Sequence, residues 1–221
     1  MATPRLASLQ LIAADGGPLR VDVRTGERPG EARPVVAICH GFKGFKDWGM
    51  FPKLADRLAV AGFTAVSFNF SGSGVAEGDR FTELDRWEHQ RPSTDLADIG
   101  IVFDHFASRG ATWFALVGHS RGGGLAVLHA AADPRVRSLV TWAGIDDFLR
   151  WPEEDMARWR RDGKIDVTNA RTGQVLTIGR EEIARKAKVE LQGLCDQYKI
   201  GIEVQQLVLQ DVNPPDPVKP A

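Results

Sequence analysis

The stretch "ALVGHSRGGG", residues 115–124, decides how the chain is read. An apolar run ends at Gly118, and a serine stands between that glycine and Gly122. Gly118-His119-Ser120-Arg121-Gly122 fits G-x-S-x-G, a sharp strand-to-helix turn that holds a serine hydroxyl at the edge of a sheet. Glycines two positions either side of the serine let strand and helix pass closely. The start of the helix, with the N–H of Arg121, favours negative charge on an oxygen beside the serine. The bland alternative is a glycine-rich turn that only packs closely. The functional reading makes two demands: a parallel sheet around the turn, and a histidine to take the proton of Ser120.

The first demand is met by the flanking pattern. "RPVVAICHG" (33–41), "FTAVSFNF" (63–70), "TWFALVG" (112–118) and "VRSLVTWAG" (136–144) are short apolar runs of the kind that form strands buried on both faces. Helical spacing lies between them: Phe51, Leu54, Leu58 and Ala61 in 50–62, then Leu96, Ile99, Val102, Phe103 and Phe106 in 95–110, then 120–134. Strands alternating with helices predict an α/β fold with a mostly parallel sheet and right-handed crossovers. "LASLQLIAADGGPLRVDVRTG" (6–26) predicts two strands about a Gly-Gly turn. Residues 71–94 read as a long polar loop, a length that tends to go with function. The segment 145–163 reads as an amphipathic insertion over the sheet, and 164–179 as a hairpin turning near Asn169 to Gly173. Beyond it, 180–199 has helical periodicity, 200–212 reads as a strand, and a Pro-rich tail follows.

His40-Gly41-Phe42 ends the strand at 33–39. If that strand lies beside the serine turn, the N–H of Phe42 joins that of Arg121 as a second oxyanion donor. Removing one such donor costs roughly 3 kcal/mol of transition-state stabilisation. Alone, H-G-F is often merely structural. A formal net charge of -1 gives no electrostatic case for nucleic acid or an anionic membrane. Two cysteines, Cys39 and Cys195, make no disulfide framework. No metal and no other cofactor is expected. No apolar run approaches a membrane span, and the first residues lack the core of a secretory signal. The expected compartment is the cytoplasm.

These residues resemble the α/β-hydrolase superfamily, and within it the soluble serine esterases and dienelactone-hydrolase-like proteins. The resemblance runs to about Ile178 and rests on "HGFKGFKDWGMFPKLADRLAVAGFTAVSFNFSGSG", "GHSRGG" and "NARTGQVLTIG". It implies Ser120 as nucleophile and the N–H groups of Phe42 and Arg121 as oxyanion hole. His40, Gly41, Gly118 and Gly122 would shape the two turns. Dienelactone hydrolases carry a cysteine nucleophile where this chain has serine, so lactone specificity does not follow.

The second demand is not met. In that fold the triad runs Ser, acid, His along the chain. Of the five histidines, only His129 follows Ser120, nine residues along the same helix, about 13 Å away by the helical rise. His119 is expected in the packing beside the turn, His105 on an exposed helix side, and His40 under the oxyanion turn. His89, in the loop 71–94, is the intrachain candidate for a substitute base, against a solvated loop histidine. From residue 180 the sequence resembles instead the stomatin–prohibitin (SPFH) family, in its HflK-type members, through "GIEVQQLVLQDVNPPDPVKPA". The expected organisation is a C-terminally incomplete hydrolase domain, 1–179, in which 145–179 is a cap-like insertion and hairpin. A foreign helix–strand fragment, 180–221, follows. That fragment could dock beside 136–144 and bring Asp211 to the place of the triad acid, or be loosely attached. Two functions stay open: a weak serine hydrolase of small-molecule carboxylic esters, or an inactive hydrolase-like chimera or interaction module. The oligomeric state is not legible.

Overall fold

The computed structural model describes residues 4–26, 34–148 and 151–179. Six strands form one sheet: β1 (Arg5–Ile12), β2 (Pro18–Thr25), β3 (Val35–Cys39), β4 (Thr64–Phe68), β5 (Phe114–His119) and β6 (Val136–Trp142), in the order β1-β2-β4-β3-β5-β6. β3 pairs in parallel with both β4 and β5, and β5 with β6. β1 and β2 form the hairpin about Gly16 and Gly17 and join β4 antiparallel. The fold is therefore α/β with a mainly parallel sheet and flanking helices.

The continuous apolar runs of the central strands follow from cover on both faces. Along β3, Val35, Ala37 and Cys39 face one core, shared with Ile99, Val102 and Phe103 of α3 (Pro92–Ala107) and Leu125 of α4 (Arg121–Ala132). Ile38 faces the other way, toward Phe51 and Ala55 of α1 (Phe51–Val60). The alternation is the two-residue period of a strand. At the far edge β6 is different: Leu139, Val140 and Trp142 are exposed. Among the described residues it is an edge strand of the sheet. The docking of 180–221 against it, and with it Asp211, lies outside the described residues.

Two differences from the sequence reading matter. The segment 71–94 is not all loop. It holds a 3₁₀ turn at 71–73, the short helix α2 (Leu84–Glu88) and the first residues of α3. α2 is pinned by Trp87, which is buried against Phe81 with ring centroids 4.9 Å apart. α3 starts three residues earlier than the apolar periodicity suggests, because Pro92 occupies its first turn, where the missing N–H costs nothing. Residues 145–179 place the helix α5 (Glu153–Asp162) and the antiparallel pair β7 (Lys164–Thr168) and β8 (Val175–Gly179) on a separate small core. Met156, Trp159, Ile165, Leu176 and Ile178 there meet Phe45 and Trp87 from the sheet side.

Candidate active site

The site forms where β3 and β5 end side by side, Cys39 being paired with Gly118. Ser120 follows β5 with φ 53° and ψ −119°, a left-handed conformation that a non-glycine residue holds only under constraint. The constraint is visible. The Ser120 N–H donates to Trp142 O at 2.9 Å, and its carbonyl accepts from Gly123 and Gly124 of α4 and from Ile145. The glycines on either side carry the close approach. A Cβ on Gly118 would lie 2.4 Å from the Gly122 carbonyl oxygen, and one on Gly122 2.3 Å from that of Cys39. The sequence motif thus has a steric origin in both directions.

The turn that begins at His40 leaves β3 directly against the serine. A Cβ at Gly41 would meet Ser120 Cβ at 3.1 Å. Among the described residues, neither the Phe42 N–H nor the Arg121 N–H is taken up by another acceptor. His40 shapes this turn. Its Nδ1–H donates to Gly41 O at 2.9 Å while Nε2 accepts from the Phe70 N–H at 3.2 Å. Both ring nitrogens are thereby used by a neutral imidazole, and burial pulls its pKa down to about 4. Lys43 has a left-handed φ of 57°. Its Nζ donates to Thr168 O at the end of β7 at 2.8 Å, and burial lowers its pKa.

The Arg121 side chain is clamped. Its guanidinium donates to Gln90 Oε1 and to Asp95 Oδ2, the latter at 2.6 Å. Asp95 is 2% exposed. Burial drives its pKa up to about 7; Arg121 opposes this and the Asp98 carboxylate adds to it. Asp98 is buried too, and accepts from the Ala14 N–H, the Ser71 N–H and the Ser71 hydroxyl at 2.6–3.0 Å. These two acids bind α3 to the loops around the site.

In front of Ser120 lies a cleft of about 400 Å³. Its apolar wall is Phe42, Ile145, Phe148, Trp151, Trp159 and Ile178; Lys43, Gln90, Arg121 and Asp147 supply polar groups. Phe42 and Trp151 meet edge to face at 5.8 Å, as do Trp151 and Trp159 at 5.9 Å. Phe148, Trp151 and Trp159 of the 145–163 segment thus all line this cleft with Ser120.

The histidines do not complete a triad. Among the described residues the Ser120 hydroxyl has no hydrogen-bond partner. His119 stacks on Trp48 at 5.5 Å, and His129 sits against Asp133. His105 packs edge-on to Phe106. His89 caps α2, its Nδ1–H donating to Asp85 O at 2.8 Å, and it does not line the cleft. Sequence reasoning missed Gln90, Asp95 and Lys43. Asp95 and Asp98 stand on the buried stripe of α3 with Ile99 and Val102, which was the available signal. Gln90 and Lys43 carry no periodic mark. Among the described residues no group of three or more His, Cys, Asp or Glu is placed to hold a metal ion. No helix there is long and apolar enough to cross a membrane.

The sequence model of the family "Serine aminopeptidase, S33" matches residues 30–160. A 2,6-dihydropseudooxynicotine hydrolase from Paenarthrobacter nicotinovorans is 25% identical over 159 residues, 71% of this chain and 41% of that protein. An Escherichia coli protein, described as an uncharacterized 31.7 kDa protein in the traX-finO intergenic region, is 26% identical over 125 residues, 52% of this chain and 38% of its own. The chain thus spans about two fifths of the length of the curated relatives it matches. Two solved structures share the fold. Est1E from Butyrivibrio proteoclasticus, solved with ferulic acid, has a TM-score of 0.63 and 20% identity, over 86% of this chain and 74% of that one. The alpha/beta hydrolase GrgF from Penicillium sp. has a TM-score of 0.56 and 20% identity, over 90% and 68%.

Proposed function

From the premise that the chain belongs to the serine aminopeptidase, S33, family of α/β-hydrolases, we propose that it is a serine hydrolase of small-molecule carboxylic esters with weak turnover. Ser120 is the nucleophile. The N–H groups of Phe42 and Arg121 hold the oxygen that becomes negative when Ser120 adds to the carbonyl. The aromatic cleft takes the apolar part of the ester. His40, Gly41, Gly118 and Gly122 keep the two turns in contact. The observation that carries this reading is the left-handed Ser120 at the mouth of the cleft. A Cβ on Gly41 would stand 3.1 Å from its own, and the N–H groups of Phe42 and Arg121 have no other acceptor among the described residues.

Weak turnover follows from the histidines. An imidazole base contributes about 10²–10⁴ in rate, and none of those described meets the serine hydroxyl. Positioning and an oxyanion hole alone leave about 10³–10⁴ over water. Hydrolysis of p-nitrophenyl acetate tests the reading. The expected result is a slow rate above buffer that falls about tenfold or more in Ser120→Ala. Equal rates in the two proteins would refute it. We further read 1–179 as the hydrolase unit, with 145–179 as its cap, and 180–221 as a second unit of SPFH-like sequence. A preparation of 1–179 that is insoluble where the full chain is soluble would count against that division.

A further inference from the structure

We infer that Lys43 is the proton acceptor for Ser120, standing in for the absent histidine; the inference rests on the serine-hydrolase reading above. A base must reach the serine hydroxyl, and few groups are placed to do so. Among the described residues, three titratable groups line the cleft with Ser120: Lys43, Arg121 and Asp147. A guanidinium does not deprotonate in proteins, and that of Arg121 is held by Gln90 and Asp95. Asp147 is engaged in another interaction. Lys43 leaves the backbone two residues beyond Gly41, which abuts Ser120 Cβ. Its backbone is held in the left-handed region at φ 57°, the kind of conformation that persists at functional sites when its surroundings enforce it.

The contacts of Nζ are compatible with either protonation state. The Thr168 carbonyl accepts one Nζ–H at 2.8 Å, so a deprotonated Nζ keeps that bond and has a lone pair to turn toward the serine. The Phe42 ring lies 5.5 Å from Nζ and holds the side chain on the wall of the cleft, and partial burial lowers the lysine pKa. The charged groups sharing the cleft are Arg121 and Asp147, and the hairpin presents a carbonyl.

The step balances as ester hydrolysis. Ser120 Oγ bonds to the carbonyl carbon and its proton passes to neutral Lys43 Nζ, while the carbonyl electron pair moves onto the oxygen. The carbonyl re-forms, the bond to the alcohol oxygen breaks, and the Lys43 ammonium protonates that oxygen. Water then adds to the acyl carbon and gives a proton to Nζ. Ser120 Oγ leaves and takes the proton back. Ester and water become acid and alcohol.

The test has two arms on the full chain. In the first, Ser120→Cys is alkylated with iodoacetamide across pH, with Lys43 intact or changed to Met. With Lys43 present the thiol is expected to titrate at least about one pH unit lower than without it, because a nearby ammonium favours the thiolate. Identical midpoints overturn the inference. In the second, Lys43→Arg in the Ser120 protein keeps the positive charge and loses the proton acceptor. Its ester hydrolysis is expected to fall about 10²-fold, and a wild-type rate overturns the inference. Fluorophosphonate labelling separates this inference from the reading it rests on. Equal labelling rates of Ser120 in the wild type, Lys43→Met and Lys43→Arg proteins would leave the nucleophile and remove its base. No labelling of any of the three would remove both.

Discussion

A methyl group at Gly122 is the sharpest probe of how the site is built. Its Cβ would stand 2.3 Å from Cys39 O, 2.4 Å from His40 O and 2.7 Å from Cys39 C. All three are backbone atoms of β3 or its end, and cannot rotate away. Ordinary contact begins near 3.4 Å, so the start of α4 must withdraw from β3 by about 1 Å. Overpacking of this kind costs about 1–3 kcal/mol, and here the upper end applies because strand and helix are both anchored. A control makes the steric cause visible. Gly100 lies in α3, and the nearest atom its Cβ would meet is His129 Cε1 at 3.8 Å. Gly100→Ala should therefore stabilise by about 1 kcal/mol through helix propensity. For a domain of this size a kilocalorie moves Tm by about 2–4 °C. Thermal melts should show Gly122→Ala lower by about 6–12 °C and Gly100→Ala higher by about 2–4 °C. Gly122→Ala should also lose about 10²-fold in ester hydrolysis, since a displacement of about 1 Å spoils alignment with the oxyanion amides. A Gly122→Ala protein that melts with the wild type would refute the close-approach argument.

Two further outcomes concern charge. Arg121→Met leaves the Asp95 carboxylate buried without its partner, and breaking such a pair costs about 3–5 kcal/mol. The Asp95 pKa is already raised to about 7. The loss in urea melts should therefore be largest at pH 8 and shrink toward pH 5, where the acid is neutral; a pH-independent loss would contradict this. His40 has its folded pKa pulled down to about 4 from 6.5. The unfolded chain then binds the proton first, so stability is full above pH 6.5 and falls as pH drops toward 4, by about 3 kcal/mol in all. His40→Gln should show a shallower acid limb in urea melts between those values, and an unchanged slope would speak against a buried neutral imidazole.

The parts of the fold legible in the sequence are those governed by short-range rules. β3, β4 and β5 announce themselves because strands covered on both faces must be apolar throughout. Ser120 and the glycines around it are legible because close approach admits no other residue at Gly118 and Gly122. Asp95 carried a signal in its place on the buried stripe of α3, but its role and that of Gln90 exist only once Arg121 reaches them. The helix inside 71–94 was missed because α2 is little more than one turn long and is held by a single aromatic, Trp87, rather than by a periodic face. Lys43 reads as an ordinary surface lysine until β7 brings the Thr168 carbonyl to its ammonium.

The pairing of Cys39 with Gly118 has a consequence in time. The serine turn and the turn after β3 come from segments far apart in the sequence, and β4 must be threaded and laid beside β3 between their syntheses. Non-local parallel pairings of this kind form slowly, because chain closure precedes any reward from contact. The local hairpin of β1 and β2 can form long before Cys39 and Gly118 are paired. A chain with most of its secondary structure is thus still chemically inert, and reactivity at Ser120 would mark the last event of folding rather than the first.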